Sequence, residues 1–177
     1  MNLRHLFPSL LLVGILVYAC DPIEEEITTD QNAKLTFSSD TVIFDTLFSS
    51  VTSITKRLLV FNPNKNAVNI SRLYLGLRNI SEYSIIVNGE ESDEVRNEVI
   101  LGNDSLLILV NVKANAQNKD LPFIVKDSIV FESNGNTGHV KLVSWGQDAV
   151  FLNAEQIACN TTWTSERPYV IYNFALV

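Results

Sequence analysis

Ser105-Leu106-Leu107-Ile108-Leu109-Val110-Asn111-Val112-Lys113 decides the fold. Leu106, Ile108, Val110 and Val112 fall on one side of an extended chain, and Leu107, Leu109, Asn111 and Lys113 on the other. Alternation of period two in branched aliphatic residues is the pattern of a β-strand. The first side has the character of a core. The second is also largely apolar, as in a central strand whose outer side is partly covered. An amphipathic helix would place its apolar residues at three- and four-residue spacing, and no such segment follows Cys20.

Similar runs flank this strand, each closed by turn residues. Leu35 and Phe37 alternate, Val42-Ile43-Phe44 is a short apolar run, and Arg57-Leu58-Leu59-Val60-Phe61 ends at Asn62-Pro63-Asn64-Lys65-Asn66. Proline presets φ in that turn and asparagine tolerates left-handed geometry. Val68 and Ile70 lie on one phase and Leu73, Leu75 and Leu77 on the other. Such a slip predicts a bulge near Ser71-Arg72. Tyr83, Ile85 and Val87 lead to a hairpin turn at Asn88-Gly89. Glu90 to Glu98 reads as a charged loop, and Val99-Ile100-Leu101 stops at Gly102-Asn103-Asp104. After the polar loop from Ala114 to Asp120, Phe123 to Phe131 reads as a strand. Asn134-Gly135-Asn136 turns it back into Val140 to Trp145. Short strands at regular spacing predict an all-β chain, an antiparallel immunoglobulin-like (Ig-like) β-sandwich over residues 34–149.

The chain has 177 residues, 46% of them hydrophobic, and a net charge of −7. That supports one packed domain of ordinary size. The acidic balance argues against a nucleic-acid partner and against electrostatic binding to anionic lipid.

Leu6 to Val17 is an apolar run behind Arg4, ending in Val17-Tyr18-Ala19-Cys20. About 12 apolar-rich residues fall short of the roughly 20 that cross a bilayer as a helix. A basic start, a short apolar middle and a small residue before the cut describe a secretory signal. With cysteine directly after the small residue, the segment resembles the lipobox of bacterial lipoproteins. The resemblance implies cleavage after residue 19, acylation of Cys20 and a membrane partner held through that lipid. Each buried methylene contributes about 0.8 kcal/mol, so two or three chains anchor durably. Asp21-Pro22-Ile23-Glu24-Glu25-Glu26 follows. Residues 20–33 are expected to form an acidic tether, and the acidic run is similar to the surface-export signal of Bacteroidota-type lipoproteins. The expected location is the outer membrane, with the domain on the cell surface or facing the periplasm.

Further motifs carry a second resemblance. They are Leu59-Val60-Phe61-Asn62-Pro63-Asn64, Gly102-Asn103-Asp104-Ser105-Leu106, Asp127-Ser128-Ile129-Val130-Phe131 and Val140-Lys141-Leu142-Val143-Ser144-Trp145-Gly146-Gln147-Asp148. Together they are similar to the Ig-like modules of the abnormal-spindle/Hydin and DUF1573 type, which are structural or protein-binding. Cys159-Asn160-Thr161-Thr162-Trp163 and Arg167-Pro168-Tyr169-Val170-Ile171-Tyr172 resemble the segment that precedes a right-handed parallel β-helix in Bacteroidota lipoproteins. Residues 150–177 are therefore expected to be a linker and the start of a truncated β-helix-like domain. Docking of the last strand onto the sandwich is the other expectation.

No residue cluster reads as catalytic, metal-binding or cofactor-binding. His139, Asp40, Asp45, Asp104 and Asp127 are scattered, and calcium needs several oxygen ligands in one loop. With Cys20 acylated, Cys159 is left as the odd cysteine, a sign of a missing partner or a free thiol. Trp145 and Trp163 are candidate ligand platforms for a glycan, against a buried or hairpin-capping role. Thr41, Thr46, Ser105 and Ser128 each sit in an Asp-(Ser/Thr)-apolar motif that resembles the O-glycosylation acceptor of Bacteroidota exported proteins. The expected function is that of a non-enzymatic, lipid-anchored envelope protein whose Ig-like module spaces or docks a protein partner. The alternatives are a glycan-binding accessory lipoprotein and the remnant of a larger β-helix adhesin or enzyme.

Overall fold

The computed structural model describes residues 25–177. The signal segment, the lipobox and Cys20 lie outside the described residues. Among the described residues thirteen strands run in chain order: β1 Ile27–Thr28, β2 Thr36–Phe37, β3 Thr41–Phe48, β4 Lys56–Phe61, β5 Ala67–Leu75, β6 Tyr83–Val87, β7 Glu90–Ser92, β8 Glu94–Ile100, β9 Ser105–Val112, β10 Phe123–Ser133, β11 Asn136–Gln147, β12 Val150–Gln156 and β13 Tyr169–Leu176. The all-β Ig-like sandwich expected from the pattern is present.

One sheet has the order β2-β4-β9-β6-β7. The other is six-stranded, with the path β1-β5-β10-β11-β3 and β8 on the free edge of β5. Reading β2 and β3 as one first strand, the two sheets follow the ABED and CFG orders of the immunoglobulin sandwich. Two segments change sheets. The first strand leaves the five-stranded sheet at Phe37 and joins the six-stranded sheet at Thr41, parallel to β11. On the opposite side, Glu90–Ser92 pairs with β6 and Glu94–Ile100 pairs with β5, with Asp93 between them. Glu90 to Glu98 is thus strand rather than the expected charged loop. Its charges alternate outward along an edge, where solvent tolerates them.

The core lies between the sheets. Leu106, Ile108, Val110 and Val112 of β9 are buried, with Leu58 and Val60 of β4 beside them. Ile70, Leu73, Leu75, Ile129, Phe131, Val140 and Leu142 meet them from the six-stranded sheet. Full burial of each such side chain contributes roughly 1.5–3 kcal/mol before entropy is counted. Tyr83 ties the layers together with a polar contact. Its Oη donates to the Val125 carbonyl at 3.0 Å and lies 3.1 Å from Ser144 Oγ. Burial pushes its hydroxyl up to about 12, while the Ser144 hydrogen bond pulls the other way.

The expected bulge is present. β5 pairs with β10 as Arg72–Glu132 and then Ile70–Ser133, which skips Ser71. This keeps Ile70 and Leu73 both inside despite their odd spacing. Asn88-Gly89 and Asn134-Gly135 form two-residue hairpins with positive φ at both positions, 52° and 86° in one and 47° and 74° in the other. That is the type I′ pattern these pairs favour.

The segment from Glu25 to Ala33, within the stretch expected as a tether, is laid against the sandwich. Ile27 and Thr28 pair in parallel with Ala67 and Val68, Glu25 Oε2 accepts from the Gly102 amide at 2.6 Å, and Ala33 is buried. Residues 150–177 form a separate two-stranded parallel sheet of β12 and β13, in which Val150 pairs with Tyr169 and Leu152 with Ile171. β13 joins neither large sheet.

Candidate interaction surfaces

The outer side of the five-stranded sheet is apolar. Cross-strand register places Leu59 beside Leu107, and Arg57 beside Leu109. Leu109 in turn lies beside Ile86, and Ile86 beside Glu91. One row therefore reads Arg57, Leu109, Ile86, Glu91 across four strands. The neighbouring row carries Leu59 and Leu107, and the next brings Phe61 opposite Ser105. Leu107 is 44% exposed and Phe61 37%. Leu59, Ile86 and Leu109 are half-buried by their neighbours alone. Contiguous apolar patches of this kind mark contact sites on otherwise polar proteins. Next to the central row on the same side, Ser84 stands beside Asn111, and with Thr52, Glu82, Lys113 and Glu91 they line a shallow polar hollow. Asn111 Oδ1 is buried there without a hydrogen-bond partner among the described residues.

The outer side of the six-stranded sheet is charged. Glu94 accepts from Arg72 at 2.8 Å and from Arg78 at 2.7 Å, and forms an ion pair with Arg96 at 2.5 Å. Arg72 and Arg78 both lie over the Tyr74 ring, at 4.7 and 4.0 Å from its centroid. Tyr74 Oη donates to Glu132 Oε1 at 3.0 Å. The Arg72 hydrogen bond, helped by Arg96 and Arg78, holds the Glu94 carboxyl at about 2, below the usual carboxylate range. Tyr74 is raised, first by its hydrogen bond to Glu132. Lys126 and Lys141 extend the same outer side, exposed on β10 and β11. Beyond them it turns apolar, with Val143 beside Ile43 and Trp145 beside Ile124.

Asp148, just past β11, is buried at the end of the sandwich. It accepts from Ser49 Oγ and from the amides of Gln117 and Lys119. These donors, Ser49 first, hold its carboxyl below the usual range. Its oxygens are filled by the 114–120 loop, so it acts as a clamp for that loop.

The candidate residues fall at separate places. Trp145 is half-buried on β11, in register with Thr46 of the edge strand. Trp163 is 42% exposed and packs on Tyr169 with ring centroids 4.5 Å apart. With Val150, Leu152 and Ala158 these two rings line a groove of about 280 Å³ against the two-stranded sheet. Thr41 and Ser128 are half-buried and flank Lys141 in one cross-strand row. Thr46 and Ser105 are exposed, Ser105 on the other sheet. Cys159 is exposed and unpaired among the described residues. The arginine cluster and the Arg57–Glu91 row escaped sequence reasoning, because each is made by register between distant strands.

No family model matches the chain, and no curated protein matches it. Solved structures do. The ASH/PapD-like domain of human CEP192 is 9% identical with a TM-score of 0.43, covering 75% of this chain and 95% of that one. A protein of unknown function from Porphyromonas gingivalis is 11% identical with a TM-score of 0.39, covering 72% and 61%. The E. coli chaperone DraB is 9% identical with a TM-score of 0.39, covering 67% and 55%. The fold class rests on the strand order of the chain itself.

Proposed function

We propose that this chain is a non-enzymatic, lipid-anchored protein of the bacterial envelope whose Ig-like module binds a protein partner through its five-stranded sheet. The observation that carries the reading is the outer side of that sheet. Leu59, Phe61, Ile86, Leu107 and Leu109 stand together there on a sandwich whose core is already complete. An apolar surface that the core does not need is explained by a partner. The anchor rests on the lipobox resemblance at Cys20, and the outer membrane is the location it implies. A lipoprotein of the Bacteroidota type with a DUF1573-like module fits both halves of this reading. Metabolic labelling with a fatty acid tests the anchor: label on the native chain and none on Cys20→Ala supports it, and equal label on both refutes it.

A second reading is favoured by one specific feature. β12 and β13 are parallel, with one register shift between Asn153 and Glu155, so the chain completes a circuit between Gln156 and Tyr169 and returns alongside itself. Stacked circuits of that kind build parallel β-helices. Phe151 stacks on Tyr172 across the pair with centroids 6.2 Å apart. On this reading the sandwich is the N-terminal module of a β-helical adhesin or enzyme. The mass of the native product in cell envelopes decides between the readings: near 18 kDa plus lipid favours the first, and a much larger mass favours the second.

A further inference from the structure

We propose that the partner of the five-stranded sheet is a second copy of this chain, docked about a two-fold axis; this rests on the interaction-domain reading above. The charges at the two ends of the central row carry the argument. Arg57 on β4 closes one end and Glu91 on β7 the other, with Leu109 and Ile86 between them. Both ends are exposed. Turn a second copy over onto this sheet with the axis parallel to the strands, between β9 and β6. Arg57 then stands over Glu91 of the second copy, and Leu109 over its Ile86. The same two contacts recur on the other side of the axis. That is the self-complementarity an isologous interface requires, each residue meeting the one that meets it. An axis along the row instead would stack Arg57 on Arg57, which like charges disfavour.

The chemistry of the surface separates this occupant from others. A membrane surface would want basic residues around an apolar patch, to meet anionic headgroups. Here the row ends in one charge of each sign, on a chain of net charge −7. Two copies of so acidic a chain repel at long range, so the contact needs both its apolar centre and its paired ends. The sheet is broad and presents aliphatic side chains on three adjacent strands, as the inner layers of a sandwich do when they interlock about 10 Å apart.

Sedimentation velocity on the purified full chain in mild detergent tests the proposal, over about 1 to 100 μM. The expected result is a monomer–dimer equilibrium in that range. Arg57→Glu should weaken it by about tenfold or more, and adding Glu91→Arg should restore it, a rescue that a folding defect would not produce. Leu109→Lys should abolish it while circular dichroism stays unchanged. A monomer at every concentration overturns the proposal, as does a dimer indifferent to Arg57→Glu. In either case, cysteine labelling at position 107 in native envelopes separates the two claims. Protection there leaves a different partner on the same sheet, and free labelling removes the interaction reading as well.

Discussion

The two outer sides of this sandwich meet solvent on opposite surfaces and hold different chemistry. On the six-stranded sheet, Glu94 collects Arg72, Arg78 and Arg96, and Tyr74 carries two guanidiniums over its ring. Those groups satisfy one another. On the five-stranded sheet, Leu107 is exposed and Leu59, Leu109 and Ile86 stand half-buried beside it, with no charged group among them. The part of a side whose groups are already paired is a solvated surface, and a part that leaves aliphatic area in water, as here and at Ile43 and Ile124 at the far end of the other side, is better explained by something that covers it.

The largest expected effect separates inside from outside on one strand. Ile108 is fully buried and Leu107, its neighbour, is 44% exposed. Ile108→Ala should cost about 2–5 kcal/mol in urea unfolding. Leu107→Ala should stay within about 0.5 kcal/mol of the parent for the isolated chain. A large loss at Leu107 would mean that the apolar outer side serves the fold, and the comparison would fail.

The next effect concerns what holds the two sides on one body. Tyr83→Phe leaves Ser144 Oγ and the Val125 carbonyl without their shared partner in a buried site. Equilibrium unfolding should show a loss of about 1–3 kcal/mol. No change would show that the sheets are joined by apolar packing alone.

A smaller effect sharpens the charged side. Glu94 falls to about 2 in the folded chain from an ordinary value of 4.5. A depressed carboxyl contributes stability that is complete above its unfolded value and lost as the pH falls through its folded one. The contribution of Glu94 should thus be whole above about pH 4.5 and fade toward pH 2, with Asp148 acting in the same direction. Urea midpoints measured from pH 6 to pH 2.5 check this: Glu94→Gln should flatten the acid decline, and Leu107→Ala should leave it unchanged. If Glu94→Gln declines as steeply as the parent, the arginine cluster does not hold Glu94.

The smallest effect is that of salt. Going from 0.05 to 1 M sodium chloride should lower the urea midpoint of the parent slightly more than that of Glu94→Gln, since exposed ion pairs are screened. Equal shifts would place the pairs among those that contribute nothing measurable.

Much of the fold was legible in the sequence, because burial on one side writes a period of two into the chain. Leu106 to Val112 shows it, and so do the Asn-Gly hairpins and the phase slip at Ser71. The Glu90–Glu98 strand was obscured because an edge strand carries charges on the side that water reaches. Its Glu94-Val95-Arg96 alternation is real but has no apolar run to announce it. Pairing of Ile27-Thr28 with β5 spans two residues and leaves no pattern at all. The outer aliphatic side was half visible, since Leu107 and Leu109 stood out as a second apolar phase. Their continuation into Leu59 and Ile86, and the Arg57 and Glu91 ends, depend on the order β4-β9-β6-β7, which local sequence does not encode.

The most direct test of the central claim is cysteine labelling in native envelopes with a permeant maleimide. Leu107→Cys would report on the apolar side and Lys141→Cys on the charged side, each in a Cys159→Ser background that removes the exposed thiol. The account predicts that position 107 is protected and position 141 is labelled freely. Free labelling at 107, or protection at 141 alone, would contradict it.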